Sequence, residues 1–167
     1  MKITEKEFLD KINAHKGIIY KVSRMYFDEP EDREDLFQEI IFQLWKSVDS
    51  FKGNSQFSSW MYRVALNTAI VFYKKQRKRI GTTADLKTEP VAPKDYDGVK
   101  DKQLGYFYKA IRQLDKIDKA LILLYIEGYS GKEIAETLGL SETNTRVKTN
   151  RVKKQLKEII KTEGYEF

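Results

Sequence analysis

The sequence predicts an all-α protein: two small helical domains joined by a flexible linker, the second containing a helix-turn-helix. Three observations lead there. Apolar residues recur at spacings of three and four along most of the chain, and no segment shows convincing strand alternation. Residues 81–103 hold two of the three prolines and almost no apolar periodicity, the signature of a linker between domains 1–80 and 104–167. Residues 128–156, GYSGKEIAETLGLSETNTRVKTNRVKKQL, place a capping box, a turn glycine, a second cap and a basic outer face in helix-turn-helix order.

The first domain opens with a capping-box pattern, Thr4 with Glu7. Phe8, Ile12, Ile19, Val22 and Tyr26 then continue at near-helical spacing, predicting one long helix up to the break at DEPED. His15 lies within that stretch and is read as a packed or surface residue. Pro30 suits the first turn of the next helix, where Asp32, Glu34 and Asp35 meet the positive end of the helix dipole. That helix is expected to run to about Ser47 and to bury Leu36, Ile40, Leu44 and Val48. Asp35, Gln38, Glu39 and Phe42 are left on a mixed polar and aromatic face, a candidate docking surface.

A loop follows over SFKGNSQFS, residues 50–58. The third helix of this domain should run from Trp60 to about Arg79, with Met61, Val64, Ala65, Thr68 and Phe72 facing the core. Trp60 is divided evenly between core packing and a nucleic-acid surface. The helix ends in KKQRKR, cations spaced to hold phosphates with little sequence preference.

Beyond the linker, Leu104, Phe107, Ile111 and Leu114 begin a helix, and Asp115 with Asp118 should cap another through ALILLYIEG. Ser130 and Glu133 then form a capping box, Ile134, Ala135 and Leu138 face inward, and Gly139 supplies the left-handed turn. Ser141 caps the final helix. Its inward face should be Thr145, Thr149, Val152 and Leu156, which turns Arg146, Val147, Asn150, Arg151 and Lys153 outward. Such a helix suits a major groove, because arginine pairs bidentately with guanine, asparagine with adenine, and lysines hold phosphates. The bland alternative is an amphipathic hairpin whose cations are only a solvated face.

Composition narrows the class. With 41% hydrophobic and 13% aromatic residues, the 167-residue chain can build real cores. Its 31 Lys and Arg against 25 Asp and Glu give +6, which suits a polyanionic partner, and both lobes are net basic around a net acidic joint. No run approaches the ~18 apolar residues of a membrane span and the charged opening MKITEKEFLDK lacks a secretory core, so a cytoplasmic location is expected. Without cysteine, and with His15 the single histidine, no thiolate or multi-histidine metal site can form; no cofactor and no resident metal are expected.

Taken together, DREDLFQEIIFQLW from Asp32, FSSWMYRVALNTA from Phe57, KKQRKR from Lys74 and the stretch from Leu114 to Leu156 resemble the small two-domain bacterial sigma factors of the extracytoplasmic-function (ECF) class, a sigma-70-type subfamily. The resemblance implies a promoter-specificity subunit, without an active site, that joins core RNA polymerase, recognises a two-part promoter and promotes DNA melting. It implies that Asp35, Gln38, Glu39 and Phe42 dock on the clamp coiled coil of the largest subunit. Lys52, Asn54, Ser55, Trp60, Arg63, Asn67, Lys74, Lys75 and Arg77 would contact the melted promoter element as single strand. Ser141, Asn144, Arg146, Val147, Lys148, Asn150, Arg151 and Lys153 would read the upstream element as duplex. An anti-sigma factor, in many relatives anchored in the membrane, is the implied regulator.

The sequence departs from the family at Val71, where many relatives carry aspartate, and at Thr145 and Thr149, which replace aliphatics. Two other readings stand beside this one. A free-standing regulator would read duplex DNA through residues 130–156 and use residues 1–80 as a sensor or dimerisation domain. A nuclease would use Asp32, Asp35 and Glu39 as a metal-binding edge.

Overall fold

In a computed structural model, which describes residues 3–53, 56–80 and 98–164, eight α-helices and one short 3-10 turn account for the regular structure, with no strand among the described residues. The side chains of residues 77–80 and 98–101 are not described. Contacts divide the chain into two units, one holding the first four helices and the other the last four.

In the first unit α1 (Glu5–Ala14) starts on the expected capping box: Thr4 Oγ1 accepts from the Glu7 amide and Glu7 Oε2 accepts from the Thr4 amide, both at 3.2 Å. The single long helix expected here is two helices. His15 leaves helical geometry at φ −119°, ψ 20°, and α2 (Lys16–Tyr26) starts one residue later. Apolar spacing alone does not register such a break, because the buried residues continue on both sides: Phe8 and Ile12, then Ile19, Val22 and Tyr26. His15 itself packs beside the Phe57 ring, with centroids 5.7 Å apart.

Helix α3 (Pro30–Ser47) has proline in its first turn, and it buries Leu36, Ile40 and Leu44, with Val48 beginning the 3-10 turn Val48–Ser50. The approach to α3 is fixed by Arg33, whose Nε donates to the Phe27 carbonyl at 2.9 Å while its guanidinium pairs with Asp28 at 3.5 Å. Helices α2, α3 and α4 (Phe57–Ile80) pack against one another pairwise. The inward face of α4 is rotated from the expected one. Met61, Tyr62, Ala65, Leu66 and Ala69 are buried, whereas Val64, Thr68 and Phe72 are only half-buried. Because α4 meets two helices at once, its buried face is wider than a single stripe.

In the second unit α5 (Gly98–Arg112) begins where the linker was expected to run on to residue 103. The rest of the expected linker, 81–97, lies outside the described residues. Leu104, taken as the first inward residue, is 42% exposed, and the buried positions are Tyr108, Ala110, Ile111 and, just past the helix, Leu114. Helix α6 (Lys116–Ile126) has Asp115 at its N-cap position in extended geometry, yet neither Asp115 nor Asp118 makes the side-chain cap bond expected of them. Asp118 is buried instead. Helix α7 (Gly131–Leu138) and α8 (Glu142–Glu163) pack on α6 and on each other, and α5 also meets α8. The core of this unit is aliphatic: Ile111, Leu121, Leu124, Ile134 and Val152 are at most 1% exposed.

Candidate nucleic-acid interface

Local hydrogen bonds set the helix ends of the helix-turn-helix. Ser130 Oγ accepts from the Glu133 amide at 3.1 Å, and Glu133 Oε1 accepts from the Ser130 amide at 3.0 Å. The Ser130 amide, with the Ser130 hydroxyl beside the same carboxylate, favours its ionised form and holds the Glu133 pKa below its ordinary value. Gly139 takes φ 70°, ψ 33°, the left-handed region that costs glycine nothing, and the Leu140 amide returns to the Ala135 carbonyl at 2.9 Å. Ser141 Oγ then accepts from the Asn144 amide at 3.0 Å. This serine, expected among the DNA contacts, is engaged as a cap.

On α8 Thr145 and Val152 are fully buried, and Thr149 and Leu156 half-buried. The inward threonines do not leave hydroxyls stranded. Thr145 Oγ1 donates to the Ser141 carbonyl at 2.8 Å and Thr149 Oγ1 to the Thr145 carbonyl at 2.7 Å, so each is satisfied one turn back along the chain. Asn144, Arg146, Val147, Asn150, Arg151 and Lys153 are exposed, and Val147 at 57% is open enough to meet a thymine methyl. Lys148 departs from that group. Its side chain is half-buried and its charge acts on Asp118.

Asp118 is 6% exposed and its Oδ1 has no hydrogen-bond partner among the described residues. Burial pushes its pKa above the ordinary carboxylate value, and nearby Lys148 and Arg151 pull it back while Asp115 adds to the rise.

In the first unit, helical spacing sets Arg63, Asn67 and Lys74 along one side of α4, and all three are exposed. Lys52 and Lys75 are exposed too. Asn54 and Ser55 lie outside the described residues, as does the side chain of Arg77. Trp60 is 9% exposed and packs among Phe51 and Phe57 with ring centroids 5.5 and 5.3 Å away, so its even division resolves to core packing.

On α3 Asp35, Gln38 and Phe42 are exposed and Glu39 is half-buried, accepting from Gln43 Nε2 at 3.0 Å. At the start of this helix burial raises the pKa of Asp32, with the carboxylates of Asp35, Glu29 and Glu31 adding to the rise. Among the described residues no group of three His, Asp or Glu is placed to hold a metal ion. No described helix is long and apolar enough to cross a membrane.

Three features escaped sequence reasoning. Trp45, 44% exposed with its ring edge-on to Phe8 at 4.9 Å, extends the α3 face beyond Phe42. A groove of about 300 Å³ lined by Glu39, Gln43, Asn67, Val71 and Lys75 joins the α3 face to the α4 face, so two sets of candidate residues share one surface. Exposed Val71 lies on that groove, where a side chain read as a departure from the family is accessible to a partner. Tyr125, at the end of the apolar run of α6, is 42% exposed and touches Lys153 of α8; the run reads as core, and only its position at the helix end signals otherwise.

Comparison with known proteins follows the same division into units. Residues 12–79 match the family model for Sigma-70 region 2, and residues 104–156 match that for Sigma-70, region 4. The chain is similar to the ECF RNA polymerase sigma factor SigX of Bacillus subtilis, 32% identical over 74% of this chain and 68% of the relative. RNA polymerase sigma factor SigV of the same organism is 33% identical over 83% of this chain and 80% of its own length. Among solved structures, the sigma factor RpoE in complex with the anti-sigma factor NepR from Bartonella quintana shares the fold at a TM-score of 0.72 and 22% identity, covering 93% of this chain and 98% of that one. CnrH, solved in complex with the cytosolic domain of CnrY, does so at 0.67 and 19%, covering 95% and 90%. With both regions matched in order and relatives above 30% identity along most of its length, the chain belongs to the ECF group of sigma-70 RNA polymerase sigma factors.

Proposed function

We propose that this chain joins core RNA polymerase through the α3 face, reads an upstream duplex element through α8 and holds a melted element against α4. The observation that carries the reading is α8 itself. Arg146, Val147, Asn150 and Arg151 are exposed together while Thr145 and Val152 are buried behind them, so one helix presents bidentate donors, an amide and an apolar contact to a groove. Arg63, Asn67 and Lys74 offer an amide for a base edge flanked by cations for the backbone, an arrangement suited to unstacked bases. Asp35, Gln38, Glu39 and Phe42 offer polar and apolar contacts to the polymerase clamp. These roles need binding alone, with no covalent step.

The likeness to RpoE, solved in complex with the anti-sigma factor NepR, supports an anti-sigma factor as the inhibitor of this chain in the cytoplasm. Such a partner would cover the polymerase-binding surface. The test is to add the purified chain to bacterial core RNA polymerase and sequence the transcripts made from fragmented genomic DNA. Discrete start sites preceded by a shared two-part motif are expected; absence of binding and of starts would favour a free-standing duplex reader.

A further inference from the structure

A groove of about 420 Å³ runs between α8 and the corner where α6 gives way to α7. Lys132 lines it from the first turn of α7, Arg146 and Lys153 from α8, and Tyr125 from the end of α6; the one carboxylate in its lining is that of Glu142. Three cations against one anion make the groove a place for a negatively charged ligand.

Lys153 does not extend from α8 as a loose side chain. Its Nζ donates to the Tyr125 hydroxyl at 3.1 Å and sits 4.8 Å from the centroid of the same ring, so a residue 28 positions earlier in the chain fixes where the ammonium stands. Lysine otherwise loses much rotamer freedom on meeting a phosphate, and a tether formed beforehand reduces that loss. The bond to tyrosine occupies one of the three ammonium hydrogens. Two remain, and the tyrosine keeps its own O–H to donate.

We propose that Tyr125 and Lys153 form a phosphate subsite holding one backbone phosphate of duplex DNA in this groove, with Lys132 contributing charge from α7. The proposal rests on the reading of α8 as the base reader. Donors 3.1 Å apart can reach oxygens of a single phosphate, and Arg146 and Asn150 line the same groove, so a strand whose bases they meet would run its backbone past the pair. An acidic peptide is the competing occupant, and it lacks the tetrahedral group that accepts from both donors beside a base edge.

The test uses holoenzyme assembled from the full chain and core polymerase, on a promoter found as above, with upstream-element phosphates replaced singly by neutral methylphosphonates. At one position the wild-type holoenzyme should lose about tenfold in affinity. Lys153→Ala and Tyr125→Ala should be insensitive at that position, and Tyr125→Phe, which keeps the ring and loses the hydroxyl, should fall between. The salt slope of Lys153→Ala should drop by roughly 0.9. If Tyr125→Ala and Tyr125→Phe match the wild type at every phosphate, the subsite is wrong, while loss of promoter choice in Arg146→Ala would leave the base-reading assignment standing. If the wild-type holoenzyme selects no promoter, both fall together.

Discussion

The first unit adds clusters of rings to an aliphatic core, whereas the core of the second is chiefly aliphatic and lies between capped helices. Phe51, Phe57 and Trp60 form one aromatic cluster, Phe27 meets Phe72 and Tyr73 at 5.8 Å, and Tyr20 meets Phe37 at 4.8 Å. In the second unit Ser130, Gly139 and Ser141 set the helix ends, and leucine, isoleucine and valine side chains fill the space behind them. Caps are interactions within a few residues, so the chain itself fixes where those helices start and stop. Rings find their partners across helices, and which face of α4 ends up inside depends on what α2 and α3 present to it.

Substitutions can break or sharpen this contrast. The largest effect is expected at Leu66→Ala, which empties a fully buried position in the first unit and should cost about 2–5 kcal/mol. Amide hydrogen exchange should show the loss in α2, α3 and α4 and leave α7 and α8 as protected as before. Next is Arg146→Ala, expected to weaken upstream-element recognition by about 1–3 kcal/mol with polymerase binding intact, as measured by titrating holoenzyme on promoter and scrambled DNA. Ser130→Ala should cost about 1 kcal/mol by removing a cap, and exchange should quicken in α7 alone.

Two smaller effects probe the buried polar groups of the second unit. In Asp118 the folded-state pKa lies above the unfolded one, so the folded form binds more protons in the window between the two. Stability should therefore fall as pH rises from the ordinary carboxylate value through the raised one. Asp118→Asn should flatten that slope and gain stability at neutral pH, read from denaturant midpoints at several pH values. Thr145→Val should change stability by less than about 1 kcal/mol, since its hydroxyl bonds only a carbonyl that already accepts a backbone amide. A large loss there would show that the threonine joins α8 to its neighbours after all.

The parts legible in the sequence were those written locally. Both capping boxes, the turn at Gly139, the cap at Ser141 and the four inward positions of α8 follow from residues within one or two turns of each other. The burial of Leu36, Ile40, Leu44 and Val48 was equally plain from one stripe. What was hidden depends on distant partners. The break at His15 interrupts no apolar stripe, the buried face of α4 is shared between two helices, and Trp60 is committed to the core by rings on its own helix and the preceding loop. The Tyr125–Lys153 contact spans two helices, and neither residue's neighbours in sequence announce it.

The threonines facing inward from α8 have a consequence for how this protein can change. Their hydroxyls are satisfied by carbonyls of their own helix, so these two threonines meet the helices behind them by shape and apolar contact, while the described side-chain bond from α8 to α6 runs through Lys153. Positions 146, 147 and 150 can then be exchanged as a set with little effect on how the helix sits, whereas Arg151 also acts on buried Asp118. On the proposed reading of α8, the helix is in that sense a replaceable key on a fixed handle, and promoter preference could diverge without a new fold having to be found.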